Sequence, residues 1–296
     1  MELNKILDYA IMADETAKKP IKSGYVTNGK TYDNYLSNDS FAEFVEDMKT
    51  NHPVAYEMYG KGGGKELEER KSGANVYPPK MASFGSSSRM IYNLMKDVEG
   101  FLFEKKLPTT VGGTANLDGF IETDEKRVFV EAKCREPYTK KDSVYERKYE
   151  DLYRTISASD KTSVTCKIEV IDERKMEVKF MSGEIEIHSF DMKQMISHLL
   201  GVATAYLKGK FDKKIDFIYL LFNPKLIEIN EGKEEIHSIY EQTCNECNSV
   251  DFKALFNVIV DYLQTAKGLS KDKNKAEIVN NFSFKLVDQT ECKGVL

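Results

Sequence analysis

Asp118 and the tripeptide Glu131-Ala132-Lys133 are the residues of this chain whose types and spacing best suit chemistry. They lie in LDGFIETDEKRVFVEAKCREPY, residues 117–138, where two apolar runs flank a polar turn at 122–126. Runs of this length around a polar turn predict a β-hairpin, with side chains alternating between its faces. Twelve residues separate Asp118 from Glu131, which suits two strands and a turn. Antiparallel pairing then brings both carboxylates within reach of one cation, with the Lys133 ammonium beside them. Mg²⁺ takes hard oxygen ligands, often one or two carboxylates and several waters. Such an ion polarises a phosphodiester and lowers the pKa of a bound water. Asp118 and Glu131 would be ligands and the Ala132 carbonyl a further one. Lys133 would orient or deprotonate the water and offset developing negative charge. The expected chemistry is Mg²⁺-dependent phosphodiester hydrolysis, with Mn²⁺ as a substitute ion. The competing reading is a surface Glu–Lys pair beside a turn aspartate, worth little energetically.

The tripeptide pattern alone carries no weight, because Glu-x-Lys occurs eight times in the chain. Context separates these occurrences. On the second strand Glu131 and Lys133 share a face with Arg127 and Phe129, while Val128, Val130, Ala132 and Cys134 form the opposite, core-facing side. On the first, strict alternation places Asp118 with Phe120 and Glu122, opposite Leu117, Gly119 and Ile121. The nearest rival, Glu177-Val178-Lys179 with Asp172 upstream, sits around its own turn among regularly alternating charges, as a solvated sheet face does.

Several elements must position these groups. Apolar spacing predicts two helical patches within residues 1–50, the second capped by Ser40. Residues 60–80, rich in Gly, Lys and Glu, read as a loop. The triple glycine there lacks the Gly-Lys-Ser/Thr ending of a nucleotide-binding loop. Ser86-Ser87-Ser88 caps a helix that ends at Gly100, and a strand covers 101–107. The hairpin follows, with strands near 115–122 and 127–134. Residues 138–158 look helical, and the alternation in 163–190 predicts a small antiparallel insertion. Asp191 opens an apolar helix ending at Gly209. IDFIYLLFNP reads as a buried central strand, 250–265 as an amphipathic helix, and 282–287 as an edge strand. The order predicts an α/β chain of the α+β sandwich kind, with a central mixed sheet flanked by helices. We divide it into an N-terminal helical and loop region, 1–80, and a main domain, 81–296, with its insertion at about 138–190.

Bulk properties narrow the setting. Of 296 residues, 31% are charged and 41% hydrophobic, as in an ordinary globular protein. No apolar run approaches the ~20 residues of a membrane helix, and the acidic N-terminus is not a signal peptide. The five scattered cysteines are expected as free thiols, and the chain as cytoplasmic. A net charge of −5 argues against a nonspecific nucleic-acid coat protein but leaves local basic patches open. Residues 135–154 mix Arg135, Lys140, Lys141, Arg147, Lys148 and Arg154 with four tyrosines. That mixture suits either phosphate contact with base stacking or a solvated helix face with tyrosines on its core side. Cys244-Asn-Glu-Cys247 has half a zinc-knuckle spacing without a second pair, and His188 and His198 read as structural.

Asp118 followed by Glu131-Ala132-Lys133 on the next strand resembles the PD-(D/E)XK nuclease superfamily, the fold of many restriction endonucleases. Leu117 stands where the family's name has proline. The family core, a helix, three strands, a helix and a strand, is matched by the element order over 86–222. The resemblance implies a restriction-endonuclease-like core and a DNA-cleaving activity in restriction, phage defence or repair. Some members carry a glutamine and, four residues on, a tyrosine near the site; Gln194 carries over and position 198 is His198. FEKKLPTTVGGTANLDG resembles uncharacterised members in which a first-strand glutamate, here Glu104, joins the metal site. The expected partner is DNA, with RNA open, and residues 1–80 are open to a substrate or homodimer role. The alternative class is a catalytically silent nucleic-acid-binding or interaction protein that keeps the fold.

Overall fold

The computed structural model describes residues 2–61, 66–139, 144–209, 213–269 and 274–296. The triple-glycine positions 62–64, together with Lys140 and Lys141, lie outside these residues. The chain begins with α1 (Leu3–Lys18), the hairpin β1 (Ser23–Thr27) and β2 (Lys30–Leu36), then α2 (Asn38–Asn51) and α3 (Pro53–Lys61). A second small hairpin, β3 (Arg70–Ser72) and β4 (Asn75–Tyr77), leads to α4 (Ser87–Met95). Next come β5 (Leu102–Pro108), β6 (Thr114–Glu122), β7 (Lys126–Lys133), β8 (Val144–Glu146) and α5 (Glu150–Ser157). The insertion continues with β9 (Val164–Val170), β10 (Lys175–Ser182) and β11 (Ile185–Ile187), before α6 (Met192–Leu207) and β12 (Lys214–Leu221). The chain closes with α7 (Lys233–Asn248), α8 (Phe252–Thr265), α9 (Lys275–Asn280) and β13 (Phe282–Val287).

The central sheet is mixed, in the order β13-β12-β7-β6-β5. β12 lies parallel to both β13 and β7, and β6 is antiparallel to β7 and β5. Helices cover both faces, so the expected α+β sandwich is what the chain forms. β12 shows why its sequence is almost wholly apolar. Ile215, Phe217, Tyr219 and Leu221 pack into the half-core of α6 and α8, while Ile218 and Leu220 pack into that of α1 and α4. A strand buried on both faces has no solvent side to mark with polar residues. The same holds for β7, where Phe129 enters the first half-core and Val128, Val130 and Ala132 the second. The insertion forms the expected small antiparallel sheet around β10, which pairs with β8, β9 and β11.

Several local expectations are corrected. Residues 23–36 form a hairpin between the two N-terminal helical patches, turning at Asn28 (φ 48°) and Gly29 (φ 70°). Ser37, not Ser40, caps α2: its Oγ accepts from Ser40 N at 3.2 Å, while Ser40 Oγ accepts from Lys22 N at 3.0 Å. Residues 60–80 are not simply loop, since β3 and β4 lie there. Of the described residues in the stretch 138–158, those at 150–157 are α-helical, and 144–146 joins the insertion sheet. α7 was not anticipated, and it carries Cys244 and Cys247 one turn apart. The five cysteines are free. Residues 1–80 share a half-core with α4 and the central sheet, through Leu7, Leu36, Met48 and Tyr59 against Ile91, Phe103 and Val130. Among the described residues no helix is long and apolar enough to cross a membrane.

Candidate active site

The pairing of β6 with β7 runs from Glu122↔Arg127 to Gly119↔Val130. One step further Asp118 would face Glu131, but here the strands part. The Asp118 carboxylate takes over the role of the missing backbone acceptor, its Oδ2 accepting from Ala132 N at 2.8 Å. Side-chain alternation also slips at this level. Leu117 and Phe120, three residues apart, pack into the same half-core, as do Leu102 and Leu107 on the neighbouring strand. Strict alternation had placed Leu117 opposite Phe120, and the structure corrects this. The slip on β5 falls at Glu104, whose φ of 55° lies in the left-handed region. A non-glycine residue there is strained, and such strain gathers where a side chain must be aimed.

Asp118, Glu131, Ala132, Lys133, Glu104 and Gln194 all line one cavity of about 520 Å³. Glu131 and Lys133 are not the surface pair of the competing reading: they are 1% and 6% exposed. Lys133 Nζ donates to Glu131 Oε1 at 2.6 Å and to Gln194 Oε1 at 2.7 Å. Gln194 is held by the start of α6, where Asp191 Oδ1 caps its backbone N–H at 3.0 Å. From the same helix, one turn on, His198 brings Nε2 to 2.9 Å from Glu131 Oε2. Among the described residues neither of these atoms has a well-directed hydrogen-bond partner. The other side of the cavity comes from residues outside the set expected to hold the ion. They include Glu66, which is 3% exposed and paired with Lys80 at 2.8 Å, Arg70, and Arg135, whose Nη1 donates to the buried Asp8 at 2.9 Å. The α4 N-terminus is tied in through Ser87 Oγ, which donates to Glu136 Oε1 at 2.7 Å and accepts from Cys134 N at 3.0 Å.

The electrostatics separate the two carboxylates. Burial works against the Glu131 charge, but Lys133 and His198 outweigh it and hold its carboxyl down at about 2. Burial and the nearby Glu131 charge push Asp118 well above the usual carboxylate range, against the opposing pull of Lys133 and the Ala132 N–H. Burial and Glu66 likewise raise Glu104. Lys133 loses solvation, yet Glu131 more than compensates and keeps it firmly protonated. A pair of carboxylates whose environments push their affinities for protons apart is a functional-site signature.

These directions yield a stability prediction. An acid whose folded-state pKa is raised binds its proton more tightly when folded, so stability falls as pH rises through the window above 3.8. Asp118→Asn removes this penalty and keeps an acceptor for Ala132 N–H. In chelator, the variant is expected to gain thermal stability relative to wild type between pH 4 and 7, with the gap widening as pH rises. A gap that narrows with pH would refute the assignment.

The oxygen donors available suit a hard cation: the free Asp118 oxygen, Glu131 Oε2 without a hydrogen-bond partner, the Ala132 carbonyl and Glu104. Among the described residues no three His, Cys, Asp or Glu side chains converge tightly enough to hold an ion by themselves. Backbone oxygen and water would have to complete the shell, as is usual for Mg²⁺. In the basic and tyrosine-rich stretch after β7, Tyr153 is fully buried, Arg147 and Arg154 pair with Glu150, and Lys148 pairs with Glu146; among its described basic residues, Arg135 reaches the cavity. No family model matches the chain, and no significant match is found among curated proteins or solved structures.

Proposed function

We propose that this protein is a Mg²⁺-dependent nuclease that hydrolyses phosphodiester bonds in DNA. The observation that carries the reading is the convergence of Asp118, Glu131, Lys133 and Gln194 on one cavity floor, from two diverging strands and a helix start. The proposed roles agree with the resemblance to PD-(D/E)XK nucleases. Asp118, Glu131 and the Ala132 carbonyl would hold the ion, with Glu104 in support. When bound, the ion supplies Lewis-acid polarisation of the phosphate and a more acidic water. Lys133, fixed between Glu131 and Gln194, directs its ammonium at the water and the developing charge. Arg70, Lys80 and Arg135 line the same cavity and give a phosphate chain positive partners.

One observation favours a second reading. The Glu131 charge is already met by Lys133 and His198, as in a site that keeps its residues but binds nucleic acid without cleaving it. Plasmid and linear DNA incubated with Mg²⁺ or Mn²⁺ separate the two. Hydrolysis that falls at least about a hundredfold in Asp118→Ala is the expected result. Retention of DNA without metal-dependent turnover would support the silent reading. Equal turnover in both proteins would overturn the assignment of the site.

A further inference from the structure

We propose that His198 is a positioning residue that fixes the Glu131 carboxylate for metal binding; this rests on the nuclease reading above. Three observations carry it. His198 is 2% exposed, and its Nε2 lies 2.9 Å from Glu131 Oε2. Neither ring nitrogen has another hydrogen-bond partner among the described residues, so the Glu131 carboxylate is the polar group the buried ring is set against. Finally, Gln194 and His198 stand one turn apart on α6 and therefore face the sheet together. Gln194 accepts from Lys133 and His198 reaches Glu131, so a single helix face grips both members of the ion pair from above.

The geometry assigns a division of labour to the carboxylate. Oε1 is turned to Lys133, and Oε2 is turned to His198. Without a group opposite Oε2, rotation about the last side-chain bond would let the carboxylate swing toward Lys133 with either oxygen. His198 removes that freedom by its own rigid seat, since its ring stacks on Phe217 with centroids 6.3 Å apart and planes at 28°. Partners of this outer kind orient ligating groups, and losing one typically lowers metal affinity by about 10–100-fold. His198 does not touch the proposed ion or the substrate. It acts through Glu131.

The test uses full-length protein, Mn²⁺ alone as the probe, and calorimetric titration, with thermal melting in parallel. His198→Phe keeps an aromatic ring against Phe217 and removes the ring nitrogens, while His198→Gln restores a polar group in a smaller body. The expected result is wild-type binding of Mn²⁺, at least about tenfold weaker binding by His198→Phe with little change in melting temperature, and recovery to within a few-fold in His198→Gln. Equal Mn²⁺ affinity in wild type and His198→Phe would overturn the proposal. So would a parallel loss of affinity and melting temperature in both variants, which marks a residue that only packs. Failure of the wild type to bind Mn²⁺, with Asp118→Ala indistinguishable from it, would instead sink the nuclease reading on which the proposal rests.

Discussion

Lys133→Met is expected to abolish the proposed metal-dependent hydrolysis and to destabilise the fold at the same time. Methionine matches the lysine stem in length, so the cavity wall survives and the loss falls on the ammonium. Hydrolysis should drop by about 10²–10³, the range seen when one donor that stabilises developing negative charge is removed. The stability effect follows from burial. Glu131 is 1% exposed, and without Lys133 its charge faces only His198. Breaking a buried pair by removing one partner costs about 3–5 kcal/mol. The pH dependence carries the same signature. With its carboxyl held at about 2 against an ordinary 4.5, Glu131 contributes stability that is complete above 4.5 and is lost as pH falls toward 2. In the variant this Lys133-dependent stabilisation is gone, so its deficit against wild type should be largest above pH 4.5 and should narrow as pH falls toward 2. Urea unfolding from pH 3 to 7 and single-turnover hydrolysis with Mg²⁺ measure the two effects. The double variant Lys133→Met with Glu131→Gln should regain stability without regaining activity. Full activity in Lys133→Met would remove lysine from the mechanism.

What the sequence disclosed and what it hid divide along physical lines. β12, β7 and α6 were legible because both their faces are buried or their apolar spacing is unbroken, so pattern alone determines them. The floor of the site was legible for the same reason: Asp118, Glu131 and Lys133 are local to one hairpin. The β1–β2 hairpin was missed although Asn28-Gly29, a strong two-residue turn signal, sits at its tip. Its strands are short and mostly exposed, so no apolar alternation drew attention to them. α7 escaped because its buried positions, Ile236, Thr243, Glu246 and Cys247, are too few and too mixed to form a stripe. Glu66 and Asp8 left no trace, since only tertiary packing brings residues from 1–80 to the cavity. His198 lay between these cases. Its spacing from Gln194 was visible, but its contact with Glu131 depends on how closely α6 approaches the sheet.

That approach is set by Gly201, and changing it should have the second large effect. Gln194, His198 and Gly201 fall at i, i+4 and i+7 on α6, a single stripe facing the sheet. A Cβ at Gly201 would lie 2.7 Å from Ala115 Cβ, 3.2 Å from Leu107 Cβ and 3.4 Å from the Leu107 carbonyl oxygen. These are backbone-anchored atoms of β5 and β6, which cannot rotate away. Gly201→Ala recovers about 1 kcal/mol of helix propensity, so it is expected to change stability little while lifting the helix slightly. Gly201→Leu has no such balance, and forcing its side chain into a filled core should cost about 1–3 kcal/mol or more. Because the displaced helix carries Gln194 and His198, hydrolysis should fall further than the stability loss explains, even at temperatures where the variant is fully folded. An ångström of misplacement can cost about a hundredfold in rate. Denaturant midpoints and hydrolysis rates across glycine, alanine and leucine at 201 read this directly. Rates that stay level while stability declines would show that α6 packs against the sheet without aiming the residues it carries.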